Sequence, residues 1–147
     1  MTDAQDHEVR RPFGLTLLSG LYLFFLLLSI STYGSPFPFM GSIYQGPVAK
    51  VLVFFDSLVC IYLLIGISKR QALTWYLLLA YNLFEIANTI INLTFIQPKD
   101  IEKFIGSSVD QNALIINNSA AALAILLLSQ FIYRSKKYFN NPDKFLF

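Results

Sequence analysis

The chain has 147 residues, 55% of them hydrophobic and 16% aromatic but only 14% charged, with a formal net charge of +2. A soluble domain normally carries about 25% charged residues, so this composition excludes an ordinary water-soluble globule. The net charge is small and the basic tail Arg134-Ser135-Lys136-Lys137 suits topology and anionic headgroups, whereas nucleic-acid binding calls for a larger patch interleaved with aromatics. A single cysteine, Cys60, excludes an intramolecular disulfide and a cysteine-based metal site.

The apolar residues gather in four runs: Phe13 to Thr32, Val48 to Ser68, Leu73 to Ile96 and Ala113 to Tyr133. Each supplies the roughly 20 residues that a helix needs to cross a hydrocarbon core. Continuous Leu, Ile and Phe can satisfy their backbones in lipid only as helices, whereas barrel strands would alternate. The expected fold is therefore all-α, a four-transmembrane-helix bundle forming one membrane domain over 1–147, with tails at 1–12 and 134–147.

The first run opens at Pro12, which suits a first helical turn because its missing donor has no partner there anyway. It is too long for the apolar part of a signal peptide, and Ser35-Pro36-Phe37-Pro38 makes a poor cleavage site. The connection from Gly34 to Pro47 is uncharged and rich in Phe, Tyr and Pro, which suits a loop lying against headgroups. Lys69, Arg70, Gln71 and Ala72 alone join the second run to the third, which makes those helices antiparallel neighbours. Trp75 and Tyr76 fit an interfacial aromatic belt. Pro98 opens a short helix whose Ile101, Phe104 and Ile105 share one face and which Gly106 closes, the pattern of a short interfacial helix. In the fourth run Ala120 and Ala124 have the small-xxx-small spacing that lets helices approach closely.

Basic residues set the orientation, because Lys and Arg are retained on the cytoplasmic side. Arg10, Arg11, Lys69, Arg70, Arg134, Lys136, Lys137 and Lys144 fall on one face, against Lys50, Lys99 and Lys103 on the other. Both termini are expected in the cytoplasm, and the location is an integral one in a bacterial or archaeal plasma or internal membrane.

The chemistry lies in the third run, where Asn82, Glu85, Asn88, Thr89 and Asn92 form one polar stripe within about 120° of arc. Such a stripe faces other helices, a wet cavity or a second protein rather than lipid. Asp56 in the second run adds another carboxylate. Counted from the ends away from the basic turn, Asp56 and Glu85 lie roughly 12 and 16 Å deep at 1.5 Å per residue. The candidate intramembrane polar site is Asp56, Glu85, Asn82, Asn88, Asn92 and Asn117, with the two acids sharing a partner and at least one of them protonated. Its plainer alternative is neutral, hydrogen-bonded glue between helices.

No catalytic residue and no metal site is expected. His7, the only histidine, lies in the N-terminal tail, and there is no haem-attachment motif, thiol pair, phosphate loop or nucleophile elbow. Asn117-Asn118-Ser119 matches a glycosylation sequon at a membrane edge. The cofactor stays unknown; a pigment magnesium held by Asn, Gln or carboxylate oxygens is one further alternative.

Arg11-Pro12-Phe13-Gly14-Leu15-Thr16-Leu17-Leu18, with Gly66-Ile67-Ser68-Lys69-Arg70 leading into Trp75, resembles a broad group of small four-helix bacterial and archaeal membrane proteins of uncharacterised function. The resemblance runs from about Arg10 to Asn92 and implies topology alone, since the group supplies no catalytic residues. Quinone reductases of the vitamin K epoxide type are similar in topology but have thiol pairs that this chain lacks. Sterol-isomerase and sigma-2-type bundles likewise place acids inside the membrane.

Two functions follow as expectations: a non-enzymatic accessory or scaffolding subunit of a larger membrane complex, or a protein that binds or transports a small ligand, cation or proton through Asp56 and Glu85. The expected partners are the lipid bilayer and other membrane subunits, not nucleic acid.

Overall fold

A computed structural model describes residues 12–145. The expected N-terminal tail, with His7, Arg10 and Arg11, lies outside the described residues. Four long helices carry the fold: α1 (Phe13–Ser31), α2 (Gly46–Ser68), α3 (Ala72–Phe95) and α5 (Gln111–Arg134). All four are long and apolar enough to cross a membrane. Between α3 and α5 lies the short α4 (Pro98–Ile105), closed by Gly106 at φ +68°.

The helices start and stop where local chemistry dictates. Pro12 precedes α1, and α2 has proline in its first turn. The Asp110 side chain accepts the Asn112 amide at 3.1 Å, so α5 begins two residues before its apolar run. At α4 the Gln97 and Asp100 side chains satisfy each other's backbone amides in a capping box.

Two findings modify the all-α expectation. The α1–α2 connection folds into an antiparallel hairpin of β1 (Phe37–Phe39) and β2 (Ser42–Tyr44), with Pro38 opposite Ile43. Its two turn residues, Met40 and Gly41, sit at φ +47° and +81°, the left-handed pair that tight two-residue hairpins require. The segment after α5 is also ordered: a 3-10 turn at Lys136–Tyr138 brings the chain back to the α2–α3 connection. There Asn141 accepts the Ala72 amide at 2.8 Å and donates its own amide to the Arg70 carbonyl at 3.0 Å. Gln71 at the centre of this clasp is fully buried.

The long helices pack mainly as two pairs, α1 with α2 and α3 with α5. The pairs are stitched through the α2–α3 contact, where Gly66 leaves room for Thr74. An apolar core of Leu15, Leu18, Leu63, Ile67, Leu78 and Ile132 fills the end of the bundle at the α2–α3 turn. Trp75 seals this turn end, donating from its indole N–H to the Ile132 carbonyl at 2.8 Å, with the Lys136 ammonium over its ring at 4.7 Å. The hairpin end is packed differently, and the polar residues gather there.

Candidate functional site: an acidic cavity in the helix bundle

Asp56 lies ten residues into α2 and Glu85 ten residues from the end of α3. At 1.5 Å per residue both sit about 15 Å below the hairpin end, so the antiparallel helices hold them level. They line one cavity of about 230 Å³, together with Phe25, Leu28 and Ser29 of α1, Thr32 just past its end, Phe37 of β1, Tyr81 and Asn82 of α3, and Ile125 of α5. All four long helices reach it, and among the described residues no Lys, Arg or His lines it.

The polar groups are ordered by short hydrogen bonds. Tyr81 donates its phenol to Asp56 Oδ1 at 2.7 Å, and Cys60 Sγ stands 3.6 Å from the same phenol oxygen. Because the phenol's only proton is given to Asp56, the thiol is the donor in that contact. Tyr22, fully buried in α1, donates to Asn82 Oδ1 at 2.7 Å. Ser29 and Ser57 meet at 3.1 Å across the α1–α2 contact.

Two groups have no such partner. The Asn82 amide nitrogen is buried without a hydrogen bond, in a side chain only 2% exposed. Among the described residues nothing donates to the Glu85 carboxylate, although Thr89 donates to the Glu85 backbone carbonyl at 2.8 Å. The Glu85 carboxylate lines the cavity without a donor and the Asn82 amide is enclosed in its wall without an acceptor, each a cost while it stays unpaired.

The remaining site candidates are placed elsewhere. Asn88 accepts the Met40 amide at 2.8 Å and Asn92 the Gly41 amide at 2.7 Å, so these two asparagines hold the hairpin turn rather than the cavity. Asn117 is exposed on α5 and is not among the cavity's lining residues. Tyr22, Tyr81, Ser29 and Thr32 were not anticipated. The signal for the tyrosines was a hydroxyl deep in an apolar run, which needs a partner when buried. No group of three or more His, Cys, Asp or Glu able to hold a metal occurs among the described residues. No family model, curated protein or solved structure matches the chain.

Proposed function

We propose that the chain is an integral membrane protein that binds a small cation, a hydrated monovalent ion or a small protonated amine, in the cavity between Asp56 and Glu85. One observation carries this reading: two carboxylates line one space that, among the described residues, no basic side chain lines. In a low-dielectric interior, two acids without a counter-charge favour an occupant that brings one. The positive-inside rule supports a cytoplasmic turn end, which carries Lys69, Arg70, Arg134, Lys136 and Lys137, with both termini on that side. The role is one of binding, without chemistry on the occupant.

The test is ligand-dependent thermal stability of the purified full chain with sodium, potassium and methylammonium. A ligand at 100 times its Kd adds about 2.7 kcal/mol to the folded state, a readily measured rise in Tm. The rise is expected in the wild type and absent in Asp56→Asn/Glu85→Gln. Equal behaviour of the two proteins with all three cations overturns the reading.

A second reading, the non-enzymatic accessory subunit of a membrane complex, is favoured by α5. Most of that helix is uncovered, and Asn117 and Ser119 are exposed beside Ile116 and Leu123. Polar side chains on an uncovered membrane helix favour a protein neighbour over lipid. A monodisperse monomer with no co-purifying partner, extracted from native membranes in mild detergent, sinks this reading.

A further inference from the structure

We propose that a cleft at the hairpin end is a binding site for one phospholipid, an acyl chain filling its apolar part and a zwitterionic headgroup its polar part. The proposal rests on the membrane reading but not on the acidic cavity, from which the hairpin separates it. Successive strand residues point to opposite faces, and here Phe37 lines the acidic cavity while its neighbours Pro36 and Pro38 line the cleft. Ile43, paired with Pro38 across the hairpin, lines the cleft as well.

The cleft measures about 470 Å³. That lies within the roughly 300–1,000 Å³ of sites that enclose small molecules. Its other walls are Leu93 and Ile96 of α3, Leu114 of α5, and the apolar face of α4 with Ile101 and Phe104. An amphipathic helix lying on a membrane normally buries that face among acyl chains. Here the face roofs a space. Water is a poor filler, because the lining offers few polar side chains beyond Asn92 and Asn118. Asn92 already accepts the Gly41 amide, and Asn118 already donates to the Leu114 carbonyl at 2.8 Å. Hydrocarbon is the filler that the lining accepts without loss.

A second cavity, of about 250 Å³, adjoins the cleft and shares Ile43, Ile96 and Phe104 with it. Its distinctive residues are Asp100 and Lys103, paired at 3.3 Å on the exposed side of α4. An apolar chamber opening beside one acid and one base matches an amphiphile with a single inserted chain and a head carrying both charges. The phosphate would face Lys103 and the ammonium Asp100.

Native mass spectrometry of the full chain in mild detergent, with added palmitoyl-oleoyl phosphatidylethanolamine, tests the proposal. The wild type is expected to retain one phospholipid. Leu114→Trp and Ile101→Trp fill the cleft from opposite walls and are expected to weaken retention by about tenfold or more. Leu123→Trp, on the exposed apolar face of α5, and Asp56→Asn/Glu85→Gln are expected to bind as the wild type does. If one cleft variant fails to fold, the other decides. Equal retention by a folded cleft variant and the wild type overturns the proposal, as does loss of the lipid in either control. Failure of cation binding alone leaves the controls and the cleft variants reading as before, so the two proposals fall separately.

Discussion

The phenol of Tyr22 on α1 donates to the Oδ1 of Asn82 on α3 at 2.7 Å, joining two helices from different packing pairs. Both side chains are at least 98% buried. Tyr22→Phe and Asn82→Leu should each destabilise the bundle, and a double-mutant cycle should show a coupling between about 0.6 and about 1.7 kcal/mol, the mean and the maximum measured for polar contacts between membrane helices. Thermal unfolding in detergent provides the readout. A coupling near zero would mean that the bond does not hold the pairs together.

Gly66 faces Thr74 so closely that an added methyl group would meet the Thr74 hydroxyl and would lie 2.8 Å from its Cβ. Gly66→Ala should therefore push α2 from α3 and cost about 1–3 kcal/mol, the usual range for overpacking. Thr74→Ala introduced alongside should recover part of the loss. A Gly66→Ala protein that melts with the wild type would refute the close approach.

Asn88 and Asn92 hold the two turn amides of the hairpin, at 2.8 and 2.7 Å. Replacing either with Ala should cost about 1 kcal/mol locally and speed hydrogen exchange at Met40 and Gly41 severalfold, with α5 unaffected. Gly41→Ala should be worse, because φ is +81° there and the new methyl would meet Phe95 Cβ at 3.0 Å. Exchange measured residue by residue distinguishes this latch from general loosening.

Asp100 caps α4 by accepting hydrogen bonds from the Gln97 amide at 3.1 Å and from the Lys103 ammonium at 3.3 Å. The backbone bond, and then the lysine, hold its carboxyl below the usual carboxylate range. A depressed folded value means that the cap's contribution is whole above the ordinary aspartate value, near about 3.9, and is lost as pH falls through the folded value. Carbon NMR of the Asp100 carboxyl should show a midpoint below that ordinary aspartate value. A midpoint at or above it would contradict the capping box.

The four long helices were legible because nothing but a helix satisfies a backbone across twenty apolar residues. Their ends were less so: α5 starts early because Asp110 caps it, a local bond invisible to hydropathy. The hairpin was missed for a definite reason. Pro38 lies within a strand, and Met40 takes a turn position where Asn, Asp or Gly is usual. Without the hairpin, Asn88 and Asn92 read as members of the acidic site rather than as its neighbours' fastening. The level placement of Asp56 and Glu85 was readable from their depths along the two apolar runs, and the short α2–α3 connection makes those runs neighbours. Their companions Tyr22 and Tyr81 were not, because a tyrosine in an apolar run looks like one more aromatic until its hydroxyl needs a partner. Asn117 shows the limit of depth counting, which fixes height along α5 but not the side to which a residue turns.

The return of Asn141 to the Arg70–Ala72 backbone carries a consequence for how the molecule is made. Arg70 holds φ +54°, an uncomfortable conformation for a side-chain-bearing residue, and the bonds from Asn141 flank it. Asn141 leaves the ribosome only after all four long helices have been synthesised. The bend between the second and third helices must therefore form provisionally during insertion and be locked afterwards, so that a ribosome stalled before Asn141 would leave a bundle with its bend still unfastened.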